Sequence, residues 1–322
     1  MPASDPLPSW NECQSKRAIL DFVGRVTDKN SADHVPVNER IAVFDNDGTL
    51  WCEMPVPVQA FFADDRLNAP RHPKCQNTDP FKSKLAADIK GVLATGIKGI
   101  AELVMATHAG MTTDEFNAIV RDWLATAKHP KLGLPFTSTI YQPMLEVLDL
   151  FRANNFSTFI VSGGGVEFMR VFAEDVYGVP THQVIGSTIK SRFELRGTTP
   201  VLVRYPGLDF FDDKAGKPVS LNKYIGRRPI ACFGNSDGDR EMLMWTTLGR
   251  SDGRPSFGLI VHHTDAEREF AYDRQHELSG QLDKGLDEAA NYGWVLADMK
   301  NDWKVVFPTS ASRKSFVCGG EQ

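Results

Sequence analysis

Apolar residues along this chain follow two rhythms. Short, largely unbroken runs (Ile41 to Phe44, Thr158 to Val161, Ile230 to Phe233, Phe257 to Val261) each stop at serine, glycine, aspartate or histidine. Runs of that length with turn chemistry at their ends predict buried strands of a parallel sheet. Elsewhere the period is helical. Ile19, Phe22, Val23 and Val26 follow a Ser9–Glu12 capping-box pattern, and Phe116, Ile119, Val120, Trp123 and Leu124 follow a Thr112–Glu115 one. Leu85, Ile89 and Val92, then Ile100, Leu103 and Val104, keep the same spacing. Pro143 opens a further helix ahead of the second run, and Ile189 to Tyr205 alternates as a β-hairpin. Thr264 and Glu267 match a third capping box, and Trp294 to Ala297 and Val305 to Phe307 read as short strands.

Strands alternating with helices predict an α/β fold, a Rossmann-like doubly wound parallel sheet. Prolines 55, 57, 70, 73 and 80 break up the chain after the first strand, and a mostly helical insert follows. The predicted organisation is a helical extension over 1–40, a core from 41–58 and 136–308, the insert over 59–135, and a mobile tail over 309–322.

Composition narrows the class. A chain of 322 residues, 42% hydrophobic and 24% charged, is that of a soluble globular protein with a sizeable core. A net charge of −5 gives no global attraction to nucleic acid or an anionic membrane. No run approaches the roughly 20 apolar residues of a membrane span. The 5 cysteines (Cys13, Cys52, Cys75, Cys232, Cys318) lack C-x-x-C spacing, which argues against a disulfide framework and a structural zinc site. The first residues show no basic-then-apolar signal, so a cytoplasmic protein is the default expectation. The opening MPASDPLP also suits a mature terminus whose leader has been removed, which would make it periplasmic.

The chemistry gathers where the strands end. Asp45 and Asp47 leave the first run two residues apart, in IAVFDNDGTL. Held close they repel, unless a cation sits between them or one carries a proton. They are candidates for a Mg²⁺ site, a nucleophile and a general acid/base; the plain alternative is an Asp–Gly turn. The second run ends in Ser162-Gly163-Gly164-Gly165, and the third in Gly234-Asn235-Ser236-Asp237-Gly238-Asp239. In open α/β sheets ligands bind off these carboxyl ends.

D-x-D-G-T, then Ser-Gly, then a lysine ahead of an acidic exit, in this order, resembles the haloacid-dehalogenase-like (HAD) superfamily. The likeness is to its phosphoserine-phosphatase-like branch and spans about Ile41 to Val261. It implies that the insert is a helical cap closing over a phosphate. Asp45 would be the nucleophile forming an aspartyl-phosphate, and Asp47 the general acid and base. Ser162 and Gly163 would bind the phosphoryl oxygens, with Thr49 contacting phosphate or orienting its loop. Lys217, rather than Lys214 or Lys223, best matches the expected place of the lysine. Mg²⁺ would be held by Asp45, the Asp47 carbonyl, Asn235 and Asp239, with Asp237 as the alternative ligand. Asn235 departs from the family's usual aspartate, and Glu53 is one position off the acid that the phosphoserine enzymes use. His262 and His263, at the end of the next strand, read as capping or packing residues.

The expected function is Mg²⁺-dependent hydrolysis of a small-molecule phosphate ester, through an aspartyl-phosphate. A haloacid dehalogenase or a phosphomutase would use the same fold. A non-catalytic phospho-ligand or metal-binding protein is the alternative of another class.

Overall fold

Side chains alternate across a strand, and that alternation in the central strand sets up two cores. The computed structural model describes residues 5–68, 91, 107–275 and 280–309. Strand β1 (Ile41–Phe44) is buried along its whole length. Ala42 and Phe44 join one hydrophobic core, while Ile41 and Val43 join the other, on the opposite face. β2 (Ser157–Gly165) and β5 (Ala231–Gly234) flank β1, and both run parallel to it. β5 repeats the alternation, with Phe233 in the first core and Cys232 in the second. Phe44 and Phe233 stack with ring centroids 4.4 Å apart. Burying such a ring contributes about 1.5–3 kcal/mol.

With β3 (Val184–Arg196), β4 (Thr199–Phe210), β6 (Phe257–His262) and β7 (Val295–Asp298), the sheet order is β4-β3-β2-β1-β5-β6-β7. Only β4 runs antiparallel to its neighbour. This is the doubly wound α/β core that the strand pattern predicts, with the chain reversing direction on either side of β1. The N-terminal helix Gln14–Thr27 packs Ile19, Phe22, Val23 and Val26 into the first core, with Phe22 stacked 5.2 Å from Phe257. Among the described residues no helix is long and apolar enough to cross a membrane.

Several local readings change. The N-terminal helix is capped by Cys13, whose sulfur accepts from Lys16 N; Glu12 pairs with Lys16 and Ser9 N donates to Glu146, so no Ser9–Glu12 box forms. Thr112 and Glu115 do form their box, at the start of helix Thr113–Thr126. The Thr264 hydroxyl instead contacts Asp298, and Asp265 organises a turn by accepting from Glu267 N and Arg268 N. Val305 to Phe307 is not a strand, since its backbone joins no neighbour in the sheet. The hairpin grows directly out of the core sheet. β3 begins as a core strand paired with β2 as far as Ser187, then continues outward paired with β4 alone. The periodic residues of the insert between Leu85 and Val104, and the predicted mobile tail beyond Thr309, lie outside the described residues.

The loop after β5 is tied down from a distance. The Asp237 carboxylate accepts from the backbone N–H groups of Asp283, Lys284 and Gly285 at 3.2, 3.1 and 2.8 Å. It thus caps the helix Lys284–Tyr292 and meets the positive end of its dipole. Asp237→Ala is expected to lower unfolding free energy by about 1–2 kcal/mol. Chemical denaturation of the purified variant checks this, and an unchanged midpoint would remove the cap from the account.

Candidate active site

Asp45 sits where β1 ends, its N–H donating to the Phe233 carbonyl at 2.9 Å, so the turn begins one residue past the sheet. Gly48 follows with φ +74°, where a Cβ would collide with the Asn235 side chain and the Glu53 carboxylate. Only glycine closes this turn. Its carbonyl accepts from His263 Nε2 at 2.7 Å, and its N–H donates to the Trp51 carbonyl at 2.9 Å. The Trp51 indole N–H donates back to Asp47 Oδ1 at 2.7 Å. The loop therefore holds Asp47 beside Asp45 yet aimed differently.

Lys217, from helix Gly216–Tyr224, is buried with its Nζ 2.6 Å from Asp45 Oδ1 and 2.5 Å from Asp239 Oδ1. Lys214 and Lys223 make no such contact; Lys223 lies over the rings of Phe210 and Tyr224. Asp239 spends its other oxygen on the N–H groups of Asn235 and Ser236, at 2.9 and 3.1 Å. Both oxygens of Asp239 are thereby engaged, and Asp237 is engaged as a helix cap.

Burial opposes the charge on Lys217, but Asp239 and Asp45 outweigh it and hold the ammonium well above its usual range. Burial and the Asp239 charge push Asp45 up, against the pull of Lys217. Burial also raises Asp47, with the Trp51 N–H opposing, which is the direction that a proton-carrying group needs.

Ser162 is buried and its Oγ accepts from Gly164 N at 3.1 Å, which fixes the hydroxyl at the mouth of β2. Gly163 lines the same cavity. Thr49 does not. Its hydroxyl donates to Asn235 Oδ1 at 3.3 Å, so it orients the third exit rather than reaching the cavity. Asn235 Nδ2 donates to Glu53 Oε1 at 2.6 Å, and the Tyr272 hydroxyl donates to the same oxygen at 2.9 Å. Burial, with His263 opposing, lifts Glu53 to about 7.

His263 stands between two oxygens, the Gly48 carbonyl at 2.7 Å and Glu269 Oε2 at 3.2 Å, a setting that favours the doubly protonated ring. Burial works against this cation, but the Glu269 charge and hydrogen bond prevail and raise it. The sequence alone gives no sign of this clamp, or of the Asn235–Glu53 bond. Both join residues far apart in the chain, through orientations that only packing decides.

One cavity of about 480 Å³ lies at the carboxyl edge of the sheet. Asp45, Asp47, Ser162, Gly163 and Lys217 meet there, with Glu53, Gln59 and Arg204 as additions. Among the described residues no three acidic, histidine or cysteine side chains form a ready metal cluster. A divalent cation fits a mixed oxygen set instead. Asp45 keeps Oδ2 outside the lysine contact, the Asp47 carbonyl accepts no backbone hydrogen bond among the described residues, and Asn235 carries an amide oxygen.

Comparison with known proteins bears on the fold and the family. A conserved, functionally unknown protein from Anaerococcus prevotii DSM 20548 superposes with a TM-score of 0.54 at 16% identity, over 88% of this chain and 91% of its own. A protein of unknown function from Bordetella pertussis Tohama I gives 0.52 at 17% identity, over 81% and 99%. Both share the fold. A phosphoserine phosphohydrolase-like protein from Francisella tularensis subsp. tularensis SCHU S4 lies further off, with a TM-score of 0.40 at 14% identity, over 78% and 98%. A search of curated proteins gave no match. The haloacid dehalogenase-like hydrolase family matches residues 42–244, more than half of the 322-residue chain, and the chain belongs to that family.

Proposed function

We propose that this hydrolase is a Mg²⁺-dependent phosphomonoesterase acting on a small phosphorylated metabolite through an aspartyl-phosphate on Asp45. The observation that carries the reading is the Lys217 ammonium, 2.6 Å from Asp45 and 2.5 Å from Asp239. Phosphoryl transfer asks for positioning and charge neutralisation above all, and a buried, doubly paired ammonium supplies both beside the attacking oxygen.

An Asp45 oxygen attacks phosphorus as the ester oxygen leaves, and Asp47 gives the leaving oxygen its proton. Asp47 then takes a proton from the water that attacks the aspartyl-phosphate, which frees phosphate, returns Asp45 as a carboxylate and leaves Asp47 protonated for the next turnover. The Ser162 hydroxyl and the Gly163 N–H hold phosphoryl oxygens, and Lys217 neutralises them. Mg²⁺, held by Asp45, the Asp47 carbonyl and Asn235, would supply further neutralisation of the phosphoryl charge. Asp239 positions Lys217 and the loop. Halide displacement would leave the Asp47–Trp51 pair without a task, so a dehalogenase is the weaker reading.

Asp45→Asn is expected to cut kcat for p-nitrophenyl phosphate at least about 10³-fold while the fold stays intact. Lys217→Ala should lose about 10²-fold or more in kcat/KM, with only small losses for Lys214→Ala and Lys223→Ala. Steady-state assays decide both, and comparable turnover by Asp45→Asn would sink the nucleophile assignment.

Asn235→Asp would set a carboxylate against Glu53, in place of the 2.6 Å amide bond. In metal-free buffer the variant should be about 1–3 kcal/mol less stable, and Mg²⁺ should restore more stability to it than to the parent. Equal Mg²⁺ stabilisation of the two proteins, by thermal unfolding, would take Asn235 out of the metal site.

The His263 clamp predicts a pH dependence. A His raised above its ordinary 6.5 contributes fully below that value and loses its contribution as pH rises through the folded value. The parent should therefore lose stability above about pH 6.5, and His263→Gln should show a flatter curve. Parallel curves in denaturant titrations across pH would mean that the ring is neutral.

A further inference from the structure

Arg204 lies in β4 opposite Ser191, four residues beyond the Ser187 that makes the last pair with β2. At about 3.3 Å per residue, that carries it roughly 13 Å past the sheet's edge, onto the wall of the cavity. It is only 5% exposed. Its position is fixed from several sides. Gly110 N donates to its carbonyl at 2.8 Å, its own N–H donates to the Met111 carbonyl at 2.9 Å, and its Nε donates to the His108 carbonyl at 2.9 Å. The guanidinium also lies 4.1 Å from the centre of the Phe116 ring.

What it lacks is a directly paired counter-charge; Glu167, which lines the same cavity, acts on it only beyond ion-pair distance. Among the described residues Arg204 pairs with no carboxylate, and its two terminal nitrogens donate to nothing. Arg40, equally buried, also lacks an acid but spends its nitrogens on the Val35 and Asn154 carbonyls and on His34. Arg204 keeps its fork free at a cavity. Burying an unpaired charge is costly, and a fixed guanidinium is the side chain best shaped to take an oxyanion through two parallel bonds. Burial brings Arg204 down to about 10, opposed by Glu167, a carboxylate already held by Arg170 at 3.3 Å.

We propose that Arg204 forms an anion subsite, which binds a second, non-reacting oxyanion on the leaving group of the substrate. Ile189, Leu202 and Leu208 line the same cavity, so an apolar spacer suits the stretch between the two anions. The substrate class is then a phosphate ester whose alcohol carries a carboxylate or a second phosphate. The inference rests on the phosphomonoesterase reading, since the reacting phosphate is taken to lie at Asp45.

Two measurements test it. In the first, kcat/KM is compared for phenyl, 3-carboxyphenyl, 4-carboxyphenyl and 4-phosphonophenyl phosphate, in the parent and in Arg204→Gln and Arg204→Lys. Arg204→Gln should lose about 10- to 100-fold more on at least one anion-bearing ester than on phenyl phosphate, and Arg204→Lys should recover part of that difference. Equal losses on all the esters would mean that Arg204 only supports the wall, and would overturn the proposal. In the second, calorimetry on the parent alone compares benzylphosphonate with its 3-carboxy, 4-carboxy and 4-phosphono derivatives. At least one derivative should bind about tenfold tighter or better, and affinities all within about threefold would overturn the subsite even if Arg204→Gln fails to fold. A larger gain from the distal phosphonate assigns a bisphosphate, and a larger gain from carboxylate assigns a phosphorylated acid. Binding needs no turnover, so an inactive protein that still prefers the dianions refutes the phosphatase reading and not the subsite.

Discussion

The buried ammonium of Lys217, shared between Asp45 and Asp239, is the interaction around which the carboxyl edge of this sheet is arranged. Three charged groups withdrawn from water carry a desolvation cost that only close mutual pairing offsets. The arrangement joins three separate stretches of chain: the end of β1, the helix after the hairpin, and the exit from β5. Asp239 works in two directions at once. One oxygen meets the lysine, and the other gathers the N–H groups of Asn235 and Ser236, so that loop and ammonium are placed by the same side chain. Gly234 makes this approach feasible, since a Cβ there would collide with the Asp239 carboxylate.

A second set of contacts holds the turn that carries Asp47. The His263 ring holds the Gly48 carbonyl and is itself fixed by Glu269 and a Tyr272 ring stacked at 4.3 Å. Tyr272 also reaches Glu53, which accepts from Asn235. The amide at position 235 therefore stands one contact from a carboxyl group that burial lifts to about 7.

Much of this was legible in the sequence, for a physical reason. A parallel strand buried on both faces must be a short apolar run, so its exit, and the polar residues there, can be read directly. Asp45, Asp47, Ser162 and Asn235 were located this way, and Lys217 by its place after the hairpin. The division of labour within the third exit was not legible. Asp237 and Asp239 are both aspartates in one loop, and which meets a helix end and which a lysine depends on where the helix Lys284–Tyr292 and the helix Gly216–Tyr224 pack. Arg204 was hidden for the same cause, being one polar residue in an alternating hairpin until the cavity wall is known. The false capping boxes at Ser9 and Thr264 show the converse. Local patterns yielded there to the partners Glu146 and Asp298, which lie far along the chain.

The central claim is that Asp45 carries the phosphoryl group during turnover. Rapid acid quench of the protein during turnover of a phosphate ester, followed by peptide mass spectrometry, tests this at the residue concerned. The account predicts one phosphoryl group on the peptide containing Asp45, formed within the first turnover and lost on chase with unlabelled buffer. Phosphate found on any other residue, or hydrolysis at full rate with Asp45 never modified at any quench time, would contradict it.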